Sequence, residues 1–295
     1  MCRVGGPRCD SKWGRARRDL DNAVRARDRA GSDEAVANAD HKIDVARTRL
    51  TYEVSASSTH IVESAAAVVG VDPDPDLNSL NRTTFRSGDI SKEAMKDIGK
   101  DEYEAIGSYS GSEFRKLNAV RRGKTAGLSF TEEDVIEIAQ MDDVMKKSMR
   151  LRGVELPCAA YRGIVPDGVS RMSADSAIRS MERAFPVGAR VVDRGWMSTS
   201  SDFFVASRIA RTHTKDEQQA HCVFRVFGGR SLPISAISAH PEEEEFIVEP
   251  GTPYTVVGTH DIDDGFGRRY LLVDIISDGF AGEHLDGIAD DVVKD

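Results

Sequence analysis

The segment His240-Pro241-Glu242-Glu243-Glu244-Glu245-Phe246-Ile247-Val248-Glu249-Pro250-Gly251-Thr252 decides how this chain is read. Four adjacent carboxylates repel one another, and such runs usually lie solvated on a surface. Here the run leads straight into the β-type residues Phe246-Ile247-Val248 and a Pro-Gly turn. Alternation along a strand puts Glu243 and Glu245 on one face and Glu244 on the other. Two carboxylates at the mouth of a sheet can divide labour. One stabilises a developing cation and the other steers a nucleophile.

Further toward the N-terminus, Asp193-Arg194-Gly195-Trp196-Met197-Ser198-Thr199-Ser200 carries three consecutive hydroxyls, followed by Phe203 and Phe204. Such a strand is either a solvated edge or a row of donors able to orient a carboxylate and a ribose. Before it, Ala160-Tyr161-Arg162-Gly163-Ile164 embeds an arginine in an apolar strand. That placement is costly unless a carboxylate or an anion pairs with it. Earlier still lie Tyr109-Ser110-Gly111-Ser112, Leu117-Asn118 and Arg121, on a helical segment.

These motifs sit in a chain that is helical first and strand-rich afterwards. Helical patterning covers about 91–150, with a break at 123–129. β-type runs follow at 159–164, 189–193, 222–227, 245–248, 254–260 and 270–276, separated by Gly- and Pro-bearing turns. Helices followed by many short strands predict an α+β fold with an antiparallel or mixed sheet.

The order Arg, then Ser-Thr-Ser, then Glu-x-Glu with an apolar tail and Pro-Gly-Thr resembles the Arg–Ser–Glu class of mono-ADP-ribosyltransferases. That group includes the cholera-type and clostridial binary toxins and the arginine-specific ectoenzymes. The resemblance covers about residues 77–277, and Ser110 stands where the family often has Thr. It implies an ADP-ribosyltransferase fold, with a helical lead-in and two small packed β-sheets forming an NAD cleft. NAD is then a co-substrate, and no metal is needed, because the nicotinamide leaving group is already cationic.

The resemblance also implies roles. Arg162 matches the strand arginine that holds a phosphate of NAD, with Gly163 beside it. Ser198 matches the serine that orders the nicotinamide ribose and the catalytic carboxylate, and Thr199 and Ser200 complete the strand. Phe203 or Phe204 matches an aromatic on the nicotinamide side. Glu245 matches the glutamate that binds the ribose 2′-hydroxyl and stabilises the oxocarbenium-like transition state. Glu243 matches the acidic position that goes with attack by an arginine guanidinium. Glu242 and Glu244 form the alternative pair, but only Glu245 is followed at once by three apolar residues and a turn. The expected reaction moves ADP-ribose from NAD to an arginine of a host protein and releases nicotinamide. An NAD glycohydrolase, or a non-catalytic NAD-binding or virion-associated module, is the rival reading.

Residues 1–70 read as an N-terminal helical arm, and 77–295 as the catalytic domain with an acidic tail. The stripes Ala16, Leu20, Ala23, Val24 and Val36, Ala39, Ile43, Ala46, Leu50 predict a helical hairpin turning at Ala30-Gly31-Ser32. Val71-Asp72-Pro73-Asp74-Pro75-Asp76 reads as a linker. Asp19, Asp21 and Asp28 interrupt the arm's arginines and argue against nucleic-acid binding.

The 295 residues are 40% hydrophobic and 30% charged, which excludes wholesale disorder, and no apolar run is long enough to span a bilayer. The net charge of −9 argues against general adsorption to nucleic acid or anionic membrane. Cys2, Cys9, Cys158 and Cys222 are too scattered for a disulfide scaffold, and Cys2 with Cys9 cannot alone complete a zinc shell. The start lacks an apolar signal-peptide region. The expected location is a reducing cytoplasm. An arm ahead of a toxin-like domain also fits a bacteriophage protein, delivered with the virion or made in the host cytoplasm.

Overall fold

Glycine and hydroxyl residues set the limits of the first helices. A computed structural model of the chain describes residues 12–80, 85–126, 128–164, 169, 172–212, 220–264 and 268–284. Helix α1 (Lys12–Asp28) turns into α2 (Asp33–Val69), with the Ser32 hydroxyl accepting from the Ala35 amide at 3.3 Å as the N-cap. Gly70, at φ 70°, closes α2 in the left-handed conformation that glycine adopts without strain. The short α3 (Leu77–Leu80) and α4 (Gly88–Ala94) lead to α5 (Lys100–Ser108), α6 (Phe114–Arg122) and α7 (Glu132–Arg152). The expected break falls between α6 and α7, where Gly123 at φ 66° ends one helix and a Thr131–Asp134 capping box starts the next. Among the described residues, no helix is long and apolar enough to cross a membrane.

The strands are β1 (Val154–Glu155), β2 (Ala160–Ile164), β3 (Arg190–Val192), β4 (Met197–Ser200), β5 (Ala220–Phe227), β6 (Arg230–Pro233), β7 (Glu245–Val248), β8 (Pro253–Asp263) and β9 (Arg269–Ser277). Helices α8 (Ala174–Ala184), α9 (Phe203–Thr212) and α10 (Asp278–His284) lie among and after them. The strand order is β1-β6-β7-β4-β2-β5-β9-β8-β3, antiparallel throughout except for the parallel pair β5–β9. The fold is α+β with a mixed sheet.

The two small sheets expected from the sequence are joined edge to edge. β2 and β4 pair only at Tyr161 and Ser200, whereas every neighbouring ladder has two or more pairs. Next to that one pair, Arg162 Nη1 donates to the Ser198 carbonyl at 2.8 Å, so a side chain closes the seam. The candidate site lies along this seam.

The helical hairpin packs on the sheet. Ala16, Leu20, Ile43, Ile61, Val62 and Ala65 share one buried cluster with Phe227, Val257, Ile276 and Phe280. The Asp-Pro segment is tied down as well. Arg225, fully buried, pairs with Asp274 at 2.7 Å and donates to the carbonyls of Asp72 and Pro73 at 2.6 and 3.2 Å. Arg27–Asp40 and Arg49–Asp19 join the two helices of the hairpin, so part of its basic charge is spent internally. Cys2 and Cys9 lie outside the described residues.

Candidate active site

A cleft of about 370 Å³ opens at the β2–β4 seam, walled by α6, the turn before it and one face of α9. Arg162, Ser198, Glu243 and Glu245, drawn from three separate stretches of the sequence, all line it. The volume falls within the usual range for a small-molecule site.

Arg162 lines the cleft with its side chain 19% exposed. Burial weakens its hold on the proton, and the Asp193 carboxylate, 3.5 Å from Nη2, opposes that. Asp193 is shared, because Arg122 from α6 engages it with two bonds of 2.7 Å. Two guanidinium groups therefore converge on one carboxylate. The excess positive charge in a poorly solvated wall suits an anion, and a planar guanidinium suits a phosphate.

Ser198 is held from behind by α6 and the turn before it. The chain makes a π-helical turn over Tyr109–Glu113, a local widening that often marks functional sites. The turn buries Tyr109, whose hydroxyl donates to the Trp196 carbonyl at 3.0 Å and lies 3.2 Å from Ser198 Oγ. Burial pushes the Tyr109 phenol up to about 12, so it stays neutral. Asn118 clamps the same backbone, accepting from the Trp196 amide at 2.7 Å and donating to its carbonyl at 3.1 Å. Gly195 is required here, since a Cβ would lie 2.6 Å from Asn118 Oδ1.

Glu245 begins β7 and is 8% exposed. Burial raises its carboxyl to about 7; the Glu243 charge adds to the rise, while hydrogen bonds from Ser198 and Ser238 and the Arg162 charge oppose it. A buried carboxylate with a perturbed pKa inside a cleft is a strong candidate for a catalytic group.

Glu243 reaches the cleft by a route other than the strand alternation expected from the sequence. It ends a 3-10 turn, Pro241–Glu243, and Glu244 follows in the left-handed conformation at φ 48° before β7 starts. The turn is fixed by Ser200 Oγ, which donates to the Glu243 carbonyl at 2.6 Å. The Glu243 carboxylate accepts from Arg208 of α9 at 2.9 Å. Glu244 points elsewhere and is spent on structure, accepting from the Ser87 amide at 2.7 Å and the Ser87 hydroxyl at 2.6 Å. Glu242 is largely exposed, with His240 its neighbour at 3.5 Å. The geometry thus separates Glu243 and Glu245 from Glu242 and Glu244.

The remaining expected residues divide between wall and support. Thr199 and Ser200 line the cleft, yet their hydroxyls bond to the Phe246 and Glu243 carbonyls and serve the scaffold. Gly163 also lines it, and its lack of a side chain lets α9 approach, since a Cβ would lie 2.4 Å from the Ala206 carbonyl oxygen. Phe203 is fully buried against Tyr161 and Tyr270, so it is a core residue and not an aromatic platform in the cleft. Its place is dictated by the apolar face of α9, which must cover β2. Phe204 stacks edge-on against Phe203 and is 39% exposed, outside the lining. Phe114 is the phenylalanine in the lining.

Sequence reading missed Asp193, Arg122, Ser238 and Arg208. Asp193 and Arg122 are ordinary surface types in sequence, and only the fold makes them partners across 71 positions. The Ser238 hydroxyl reaches Glu245 at 3.4 Å.

No family model matches the sequence, and no curated protein sequence matches it. Solved structures do resemble it. The enzymatic component C2-I of the C2-toxin from Clostridium botulinum superposes with a TM-score of 0.51 at 11% identity, over 69% of this chain and 49% of that one. BECa of C. perfringens, an ADP-ribosylating toxin of a binary enterotoxin solved with NADH, gives 0.50 at 15% identity, over 70% and 49%. This chain thus spans about half of each of those two chains. Plx2a, an ADP-ribosyltransferase toxin from Paenibacillus larvae, gives 0.49 at 15% identity, over 70% and 98%. The likeness concerns architecture, and on that ground the chain has the fold of the mono-ADP-ribosyltransferase toxins.

Proposed function

We propose that the protein is an NAD-dependent mono-ADP-ribosyltransferase that modifies arginine side chains of a host protein. The observation that carries this reading is the convergence of Arg162, Ser198, Glu245 and Glu243 on one cleft. Arg162, with Arg122 behind Asp193, supplies the cation for the pyrophosphate of NAD. Ser198 and Ser238 orient the Glu245 carboxylate toward the ribose. As the bond to nicotinamide lengthens, positive charge grows on the ribose, and ionised Glu245 stabilises it in a site where water screens little. Nicotinamide leaves as a neutral molecule.

Glu243 supports the choice of arginine as acceptor. A guanidinium is protonated at physiological pH and is repelled by a ribosyl cation, so it needs a carboxylate to hold and aim it. Glu243 already binds a guanidinium, that of Arg208, at 2.9 Å.

The test is incubation with labelled NAD and agmatine, a free guanidino compound. The reading predicts nicotinamide release together with label on agmatine. Nicotinamide release with free ADP-ribose alone would assign an NAD glycohydrolase, and absence of both would leave a binding module.

A further inference from the structure

We propose that the protein is its own acceptor, and that Arg208 is the residue modified, in cis, by the site it borders. This inference rests on the transferase reading and extends it to a modification site within the chain.

The arginines around the cleft are held differently. Arg162 is committed to the Ser198 carbonyl and to Asp193. Arg122 is locked to Asp193 by two bonds. Both are anchored by the half-buried carboxylate of Asp193, and neither can turn toward the glutamates without breaking those bonds. Arg208 is held otherwise. Its side chain is 51% exposed, and among the described residues its hydrogen bond runs from Nη2 to Glu243 Oε1. Exposed pairs of this kind hold their geometry weakly, so the group samples positions around Glu243.

Arg208 lies on α9 between Val205 and Ala206 on one side and Ile209 on the other, all three of which line the cleft. Its guanidinium rests on the carboxylate assigned to hold an acceptor guanidinium, and that carboxylate lines the same cavity as Glu245. Proximity of this kind replaces a bimolecular encounter with an intramolecular one, which raises the effective concentration of the nucleophile far above that of a free acceptor.

The step balances without a further reactant. A bond forms between an Nη of Arg208 and the anomeric carbon of the nicotinamide ribose. The bond from that carbon to the nicotinamide nitrogen breaks, and its electron pair leaves with neutral nicotinamide. One guanidinium proton passes to Glu243 and on to water, and the substituted guanidinium keeps its single positive charge. Nothing is oxidised or reduced. The product carries two phosphates and a ribose on α9 at the edge of the cleft, where they would obstruct a second NAD. Modification would therefore slow the enzyme with its own turnover.

The test uses the full-length protein with labelled NAD and no added acceptor, followed by peptide mass mapping, with nicotinamide release and agmatine labelling measured in parallel. The proposal predicts one ADP-ribose on the peptide containing Arg208, a labelled fraction at fixed time that does not change on dilution of the protein, and falling turnover as label accumulates. Agmatine should compete with that labelling. Label on agmatine with Arg208 unmodified, label on other residues only, or a labelled fraction that falls on dilution would each overturn the proposal and leave the transferase reading in place. No nicotinamide release and no agmatine labelling would overturn both.

Discussion

Arg162 Nη1 donates to the main-chain carbonyl of Ser198 at 2.8 Å, which makes the cation and the hydroxyl-bearing strand parts of one rigid unit. The bond crosses the seam where β2 and β4 share a single ladder pair, and it places a charged group where a sheet would otherwise continue. The cleft owes its shape to that substitution.

Arg162→Lys follows directly. Lysine keeps the charge but carries its donors on a single nitrogen, so it loses the planar fork that reaches Ser198 and a phosphate from separate nitrogens. The expected loss in kcat/KM for NAD is on the order of tenfold to a hundredfold, about the worth of one charge-assisted hydrogen bond. It should appear mainly as a raised KM. Steady-state nicotinamide release checks it.

Glu245→Gln separates activity from stability. The amide keeps the shape but loses the charge, so nicotinamide release should fall by roughly two powers of ten or more. Stability should move the other way at high pH. Burial raises the Glu245 carboxyl from 4.5 to about 7, so the folded state favours the protonated form. Above its folded pKa, ionisation costs the native state up to ~3 kcal/mol, at about 1.4 kcal/mol per unit. The variant should therefore melt above the wild type near about pH 8 and lose that advantage near about pH 5. Thermal melts at the two pH values decide it.

The pH profile of the wild type carries a related signature. On the proposed function, catalysis needs ionised Glu245, so kcat/KM should rise with pH through an ascending limb near 7. The Glu243 charge contributes to that elevation. In Glu243→Gln the limb for NAD hydrolysis should therefore move to lower pH. An unmoved limb would mean that another group titrates.

Removal of residues 1–70 should destabilise the protein severely. It strips Ile61, Val62 and Ala65 from the cluster they share with Phe227, Ile276 and Phe280. Losing several buried aliphatic side chains costs about 2 kcal/mol or more each. The expected outcome is an aggregating or low-melting fragment, read by solubility and thermal melting. A soluble, fully active fragment would show that the sheet carries its own core.

Much of this was legible in the sequence because the informative signals are local. Apolar strands with β-branched residues announce themselves, so β2, β5, β7, β8 and β9 were placed from pattern. Strands β1 and β6 were not, being two and four residues long, with Pro233 in the second. The identities of Arg162, Ser198 and Glu245 were readable as motifs. The route by which Glu243 enters the cleft was not, because a left-handed Glu244 is a tertiary demand, imposed by the Ser87 bonds that bury its carboxylate. The stripes that announce the hairpin are rich in alanine, and such small residues let α1 and α2 approach each other and the sheet closely, with Ala16 and Ala65 fully buried.

The central claim is that Glu245 serves bond cleavage while Glu243 serves the acceptor. Glu243→Gln, assayed with labelled NAD and agmatine together, tests it most directly. The account predicts that agmatine labelling collapses while nicotinamide release persists, with ADP-ribose appearing free in solution. Equal loss of both activities would contradict it, because Glu243 would then act on the bond to nicotinamide and arginine would lose its main support as the target.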